Sequence, residues 1–159
     1  MFSIHSAQNG DADGLIALIG PIFAEYDCVF DVDGELPELR QIASVFARLG
    51  GEIWLAKTDG EVVGSIGYVP HDHGLEVRKL YVKRELRRQG IGQSLYQRIE
   101  EVAEMRRLRF VDLWSDTRFV DAHRFYEQRG FVRGDTLREL HDQSNTVEYY
   151  YRKLLSAAG

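Results

Sequence analysis

The chain has 159 residues, of which 44% are hydrophobic and 28% are charged, and its formal net charge is −5. This length and composition predict one globular domain over residues 1–159 with a single hydrophobic core. The acidic balance argues against a general nucleic-acid-binding protein, but residues 1–75 carry a charge of −9 and residues 76–159 a charge of +4, so the second part suits an anionic partner.

The first part of the chain is predicted to hold one strand and two helices. Residues 2–8 alternate loosely as a strand does, and residues 11–27 follow with apolar residues at helical spacing, although Gly20 and Pro21 weaken that helix. A firmer helix is expected over residues 36–51, because a proline lies near its start and two glycines follow its end.

Two features of this region bear on location. The longest apolar run, residues 15–24, is too short to span a bilayer, and no signal-type pattern precedes it, so we expect no membrane association. Cys28 is the single cysteine of the chain and cannot form an internal disulfide. A single cysteine suits a reducing compartment, which favours the cytoplasm. We expect its thiol to be chemically inert.

The acidic loop between the two helices, Asp27 to Glu38, has two explanations. It would attract a cationic partner, because clustered carboxylates create a negative potential. Charge runs are also commonly just solvated surface, and we weigh that explanation at least equally.

The middle of the chain is predicted to be a hairpin followed by a third strand. Asp59-Gly60 is a typical hairpin turn between the two apolar runs of residues 52–69. Residues 75–82 are a strand that leads through the basic stretch "KRELRRQGIG", residues 83–92, into an amphipathic helix over residues 92–106.

The last part adds a buried strand "FVDLW", a helix over residues 118–129 closed by Gly130, and two strands joined by the polar segment "HDQSN". The whole order is strand, two helices, three strands, helix, strand, helix and two strands. This order predicts an α+β (α/β-like) sheet with helices on both faces.

The basic glycine-containing stretch has the local pattern of a phosphate site. A strand, a short glycine-containing turn and a helix N-terminus bring unpaired N–H groups and a positive helix end together. Neither G-x-G-x-x-G nor a P-loop is present, so a dinucleotide fold and a P-loop ATPase are not indicated. What is present is R-x-x-G-x-G at residues 87–92.

In this context, the strand ending "LYV", the turn "RRQGIG", the following helix and strand, and the later segment "AHRFYEQRGF" resemble the GNAT superfamily of N-acetyltransferases. The resemblance implies a single GNAT domain with a mixed, mostly antiparallel sheet, and acetyl-CoA as co-substrate with no metal. It further implies that the turn holds the pyrophosphate and that the end of the preceding strand pairs with the pantetheine arm. The residues implied in cofactor binding are Leu80, Tyr81, Val82, Arg87, Arg88, Gln89, Gly90, Ile91, Gly92, Gln93 and Ser94.

The second matching motif is A-x-x-F-Y-x-x-x-G-F, which begins here at Ala122. By resemblance, Tyr126 is a catalytic residue that protonates the departing thiolate, although a tyrosine on that helical face would also serve as core. Many members place an asparagine three residues before the alanine, where this chain has Phe119. The contact made by that asparagine must therefore be absent or replaced.

Acetylation of an amine requires a group that removes a proton, because an alkylamine with a pKa near ~10 is almost entirely protonated at pH 7. Glu76, where GNAT members often carry an acidic residue, is the candidate catalytic base, directly or through water. Pairing with Arg78 or Lys79 is an equal alternative. No supported cysteine nucleophile is present, in agreement with direct transfer.

Some features stay open at this stage. His71 and His73 flank an aspartate without further spaced ligands, so a polar turn is favoured over a metal site. The polar C-terminal hairpin would border either the acceptor or a second subunit of a homodimer.

The function predicted is acetyl transfer to a primary amine of a small molecule or peptide. A non-catalytic acyl-CoA-binding regulatory module and an unrelated protein-binding domain are the alternatives.

Overall fold

Seven strands form one mixed sheet in the computed structural model, which describes residues 1–156. The spatial order is β1-β2-β3-β4-β5-β7-β6, and every neighbouring pair is antiparallel except β4 and β5, which are parallel. The strands are β1 Ser3–Ser6, β2 Glu52–Thr58, β3 Glu61–His71, β4 Gly74–Val82, β5 Phe110–Asp116, β6 Val132–Glu139 and β7 Val147–Leu154. The α+β fold class and the mostly antiparallel sheet are confirmed.

Five α-helices accompany the sheet: α1 Ala12–Glu25, α2 Val32–Glu35, α3 Ile42–Arg48, α4 Ile91–Met105 and α5 Val120–Gln128. Pro21 lies inside α1, which nevertheless continues to Glu25, so the expected weakening does not end that helix. The predicted helix over residues 36–51 is divided instead. A 3₁₀ turn, Pro37–Gln41, comes first, and α3 follows it. The two are separate because Gln41, at their junction, has a non-helical ψ of 47°.

The helices cover both faces of the sheet, as expected. On one face α4 packs through Ile91, Leu95 and Ile99 against the strands, together with Tyr126 of α5. On the other face α1 and α3 pack through Leu15, Ile19 and Phe46, among others. The apolar residues of each helix recur at the helical period, so each helix buries one stripe.

The β2–β3 hairpin turns at Asp59 and Gly60, as the sequence predicts. Their φ angles are 50° and 80°, so both residues are left-handed, which is typical of the type I′ turn that fits the strand twist.

A β-bulge interrupts β4 just before it reaches the site. Ser65 of β3 lies opposite Tyr81 and Gly67 lies opposite Arg78, so β4 has one extra residue at this point. Lys79 adopts a left-handed φ of 59°, and its carbonyl accepts a hydrogen bond from the Ser65 hydroxyl at 2.6 Å. The bulge re-aims the side chains of the second half of β4.

The parallel β4–β5 pairing is short. It joins Gly74 to Phe110, Leu75 to Val111 and Glu76 to Asp112. Beyond these pairs β4 continues along β3 and β5 continues along β7, so the two strands diverge and a gap opens in the middle of the sheet.

The domain predicted over residues 1–159 includes residues 157–159, which lie outside the described part of the chain. Within residues 1–156, no helix has both the length and the apolar character needed to cross a membrane.

Candidate active site

Two cavities lie at the gap between β4 and β5. One, of about 670 Å³, is lined by the end of β4, the turn before α4 and one side of α5, and we call it the turn-side cavity. The other, of about 560 Å³, is bordered by the C-terminal hairpin, and we call it the hairpin-side cavity. Leu80, Tyr81, Phe119 and Ala122 line both. Each volume suits a small-molecule site.

The turn-side cavity is bordered by unused backbone donors. Ser94 N–H makes the first bond of α4, to the Gly90 carbonyl at 3.0 Å. In the described structure, the N–H groups from Arg88 to Gln93 have no protein acceptor. Gly90 has a left-handed φ of 86°, and a β-carbon built there would meet nothing within 4 Å. The first turn of α4 therefore offers open space and free donors to an anion.

Arginines dominate the charge around this cavity: the lining contains Arg87, Arg88, Arg124 and Arg129, against one carboxylate, Asp121. Arg129 lies over the Phe125 ring at 3.4 Å from its centroid and donates to Gln93 Oε1 at 2.6 Å. The potential suits an anionic ligand.

Arg87 already has an anionic partner within the chain. Its two terminal nitrogens donate to the Glu25 carboxylate at 2.7 and 2.9 Å, and its Nε donates to the Val82 carbonyl at 3.2 Å. Both side chains of the pair are largely buried. Arg87 therefore ties the turn to the end of α1, and it brings less free charge to the cavity than the sequence suggests.

The structure brings most of the predicted cofactor-binding residues together at this cavity: Leu80, Tyr81, Val82, Arg87, Arg88, Gly90, Gly92 and Gln93 all line it. Gln89, Ile91 and Ser94 do not. The Ile91 side chain is buried in the core, so its N–H is the group it can offer. Ser94 N–H donates to the Gly90 carbonyl, so the group of Ser94 that is available to a ligand is its hydroxyl.

The hairpin-side cavity has a sheet floor and a roof made from two distant loops. Its floor includes Val77, Trp114 and Glu148. In the roof, Gln143 donates from its side chain to Asp31 at 2.7 Å and from its N–H to Glu35 at 2.8 Å. The C-terminal hairpin therefore borders this cavity, and its predicted role beside either the acceptor or a second subunit stays a prediction.

Tyr126 lines the hairpin-side cavity from α5. It is 6% exposed, and its hydroxyl has no hydrogen-bond partner among the described residues. Burial raises the pKa of Tyr126, and the neighbouring tyrosines raise it further. The phenol therefore holds its proton at neutral pH and has that proton free for a ligand.

Glu76 lies at the last position of β4 that pairs with β5, opposite Asp112. Its carboxylate binds the Arg78 guanidinium, as the structural alternative predicted. Val77, Arg78 and Lys79 line the hairpin-side cavity, whereas Glu76 does not. Its role as base is not tested by this geometry and stays a prediction.

Phe119 takes an apolar role where the resemblance suggests an asparagine. Its ring lies 4.8 Å from that of Tyr26 and 6.5 Å from that of Phe23, and it forms part of the wall of both cavities. The neighbouring Asp116 and Arg118 form a two-point ion pair, from which Arg118 reaches the Ser144 carbonyl. The segment "SDTRF" thus fixes the hairpin rather than supplying an amide to a ligand.

The sequence did not reveal that Tyr26 lies at the site, that Phe125 contacts Arg129, or that β4 has a bulge at Lys79. Tyr26 follows α1, far along the chain from the turn, and nothing in a single sequence links them. Phe125 was visible as part of the second motif, but its contact with the Arg129 guanidinium depends on tertiary packing. No glycine marks the bulge, since a lysine adopts its left-handed conformation.

The histidine-containing turn lies away from both cavities. His71 ends β3, and its Nε2 lies 2.8 Å from Asp112 Oδ1. Burial lowers the pKa of His71, but hydrogen bonds and charge, chiefly from Asp112, raise it overall. Among the described residues, no three His, Cys, Asp or Glu side chains are grouped so as to hold a metal ion.

The comparisons with known proteins agree with this geometry. A sequence model of the acetyltransferase (GNAT) family matches residues 21–131 of this chain. N-acetylaspartate synthetase of Rattus norvegicus is 33% identical over 113 residues, which are 69% of this chain and 36% of that protein. The chain thus spans about a third of the length of this curated relative.

Solved structures show the same fold. An acetyltransferase of the GNAT family from Staphylococcus aureus Mu50 has a TM-score of 0.85 and 23% identity, covering 98% of this chain and 100% of that chain. PaiA N-acetyltransferase from Thermoplasma acidophilum, solved in complex with coenzyme A, has a TM-score of 0.73 and 18% identity, covering 98% and 99%.

The Arg87–Glu25 pair predicts a measurable coupling. Replacing Arg87 or Glu25 singly by alanine leaves the other charge largely buried without its partner, so the two losses of unfolding free energy should not add. We expect a coupling energy of about 1–3 kcal/mol from urea unfolding of the wild type, both single variants and the double variant.

The exposed pair Arg40–Asp33 is the matched control, because solvent screens it and its coupling should be smaller. Equal coupling energies for the two pairs would show that Arg87 does not hold the turn.

Proposed function

This chain belongs to the acetyltransferase (GNAT) family and is an acyltransferase, and on that premise we propose that it transfers the acetyl group of acetyl-CoA directly to a primary amine of a small molecule or peptide. Both substrates are bound together before transfer. The observation that carries the proposal is the pair of cavities that meet at Leu80, Tyr81, Phe119 and Ala122. Such a meeting point allows two ligands to react without a covalent enzyme intermediate.

The turn-side cavity fits the co-substrate. Its free N–H groups from Arg88 to Gln93 and the open space at Gly90 suit a pyrophosphate, and its arginines suit the negative charge. β4 has no β5 partner after Glu76, so its backbone is available to an extended arm. When bound, the co-substrate supplies the thioester whose acetyl group is transferred.

Tyr126 is the proposed acid of the reaction. Its hydroxyl has no hydrogen-bond partner within residues 1–156 and stays protonated, so it has a proton to give to a departing thiolate. Burial also raises the pKa of the Cys28 thiol, which does not favour a nucleophilic thiolate at this site. The sequence assigned the base to Glu76, and that assignment is kept here as a prediction.

The acceptor is proposed to be cationic, but the support no longer comes from the acidic loop. Two carboxylates of the acidic loop have cationic partners within the chain, since Asp33 binds Arg40 and Glu38 binds Lys79. Glu25, just before the loop, binds Arg87. The support now comes from the lining of the hairpin-side cavity. Its Arg78 and Lys79 bind Glu76 and Glu38, and its Asp116 and Glu148 bind Arg118 and Arg138. Its Glu35 and Asp142 have no salt bridge among the described residues, so they leave the lining with negative charge.

The non-catalytic acyl-CoA-binding module is the second candidate function, since it would use the same turn. The Tyr126 hydroxyl, which lines the hairpin-side cavity and has no hydrogen-bond partner among the described residues, favours catalysis over it. A cytoplasmic location is part of the proposal and is supported by the single Cys28. Homodimer formation is kept as a prediction.

The function itself is tested with acetyl-CoA and an amine panel of spermidine, benzylamine and L-aspartate, by release of the coenzyme thiol. We expect acetylation with spermidine preferred, steeply so at low salt, because the carboxylates of the cavity attract its extra charges. L-Aspartate is included because one relative is named for N-acetylaspartate. Equal rates with spermidine and L-aspartate would refute the cationic preference, and acetyl-CoA binding without turnover of any amine would favour the regulatory module.

Gly90→Val should abolish acetyl-CoA binding measured by calorimetry, because the branched side chain fills the space before the helix N-terminus. Gly60→Val is the matched control: Gly60 also has a left-handed φ, of 80°, and open space around it, but it lies in the β2–β3 turn. Each variant should lose roughly 1–2 kcal/mol of stability from the left-handed conformation. Undiminished affinity in folded Gly90→Val would remove the phosphate site from the turn.

Tyr126→Phe should lower turnover by roughly 10²–10⁴, the usual contribution of a positioned acid or base, while acetyl-CoA affinity and melting temperature change little. The control is Tyr96→Phe, because the buried Tyr96 hydroxyl also lacks a partner in the described structure but lies in the core. That variant should keep full activity and lose no stability. Full activity of Tyr126→Phe would assign the proton to water or to another group.

A further inference from the structure

Glu148 of β7 is a largely buried carboxylate on the floor of the hairpin-side cavity. It lies opposite Asp116 in the β5–β7 ladder, and its side chain is 14% exposed. Tyr126 and Tyr81 line the same cavity. Glu148 therefore shares one cavity with the second half of β4, and burial and then the charge of Glu148 raise the pKa of Tyr81.

The hydrogen bonds of Glu148 leave one oxygen unused. Arg138 Nε and a terminal nitrogen of Arg138 both donate to Oε1, at 2.9 and 2.6 Å. Within residues 1–156, Oε2 accepts no hydrogen bond from the protein. Among the described residues, Tyr96 OH is the fully buried side-chain oxygen without a partner, so Glu148 Oε2 is instead an accessible oxygen on the cavity floor. It is therefore suited to a ligand that donates hydrogen bonds.

Both oxygens of Asp116 on the sheet floor and of Asp142 in the hairpin accept hydrogen bonds, and Glu35 in the roof accepts at one oxygen. Asp116 accepts from Arg118 at both oxygens. Asp142 accepts from the Thr146 N–H at one oxygen and from the Thr146 hydroxyl at the other. Glu35, in the roof, accepts from Gln143 N–H. Glu148 therefore combines burial, a position on the rigid sheet and a free oxygen.

Charges from three strands act on this carboxylate. Burial raises the pKa of Glu148, Arg138 of β6 lowers it, and Asp116 of β5 and Glu76 of β4 raise it, with a net shift above its usual value. A carboxylate whose pKa lies closer to neutrality is a better proton acceptor near pH 7 than an exposed one. The aromatic Trp114 beside Arg138 completes the wall.

We propose that Glu148 Oε2 binds the ammonium group of the acceptor amine and removes its proton, in place of Glu76. The proposal rests on the proposed function and names the group that selects a protonated primary amine. Glu76, like Glu148, has one oxygen bound to an arginine, but Glu76 does not line the cavity.

The protons balance as follows. The ammonium gives one proton to Glu148, and the neutral amine attacks the thioester carbonyl carbon, so that a C–N bond forms. The C–S bond then breaks, and the Tyr126 hydroxyl protonates the departing sulfur. The nitrogen loses its second proton to the Tyr126 phenolate through water, and Glu148 releases its proton to solvent. The sum is one amide, one thiol and one proton released.

The test compares Glu148→Gln and Glu76→Gln with the wild type, using the panel amine that the wild type acetylates fastest. Glu139→Gln is the matched control, because it makes the same change on the exposed β6 strand. At pH 7, Glu148→Gln should lower kcat/KM for the amine by roughly 10²–10⁴. Its acetyl-CoA affinity by calorimetry should equal that of the wild type and of Glu139→Gln.

The pH profile separates a proton acceptor from a structural residue. In Glu148→Gln, kcat/KM should rise about tenfold per pH unit toward the pKa of the amine, near ~10, because only the free amine reacts. In Arg138→Gln, the acidic limb of the profile should move to higher pH, since the charge that lowers the pKa of Glu148 is removed.

The outcomes are distinguishable from failure of the proposed function. An active wild type with a Glu148→Gln variant within twofold of it, or a Glu76→Gln variant that alone shows the pH signature, overturns the role of Glu148 and leaves the acetyltransferase assignment standing. A Glu148→Gln variant that loses acetyl-CoA affinity in parallel also overturns it. A wild type that binds acetyl-CoA and acetylates no amine overturns the proposed function and this inference together.

Discussion

The site depends on the point at which two parallel strands stop pairing. β4 and β5 share three residue pairs, the last being Glu76 with Asp112, and then separate. A parallel ladder normally continues for as long as both strands do, because unpaired N–H and C=O groups in a sheet interior are costly. Here each strand stays paired on its outer side, and the inner groups face the two cavities. The cavities and the proposed meeting of the substrates follow from this separation.

The elements were predictable where the local pattern decided them. The Asp59-Gly60 turn, the strand-turn-helix leading into α4 and the C-cap glycine after α5 are all encoded within a few residues. The Lys79 bulge was not predictable, because its left-handed lysine accepts a hydrogen bond from Ser65 of the adjacent strand, a contact that a single sequence does not reveal. The division of the α3 region also depends on packing, since its apolar spacing is helical throughout.

The two cavities differed in how far the sequence revealed them. The turn before α4 is continuous in the chain, so its glycines and arginines could be recognised together. The hairpin-side cavity brings together residues near Asp31, Asp116 and Glu148, which are far apart in the chain. The partner of Arg87 is also distant, since Glu25 lies 62 residues away. Carboxylates therefore looked equally free in the sequence, whereas the structure gives Glu25, Asp33 and Glu38 cationic partners.

The roof of the hairpin-side cavity has a consequence for how related proteins diverge. Its two loops meet through Gln143 with Asp31 and Glu35, across separations of 112 and 108 residues, and both loops lie at the surface. Changes of loop length are tolerated best at such places, and the turn before α4 makes no part of this contact. Because the family match ends at residue 131, the C-terminal half of the roof lies outside it. The two loops of the roof can therefore differ in length and sequence among related proteins while the turn before α4 keeps its shape.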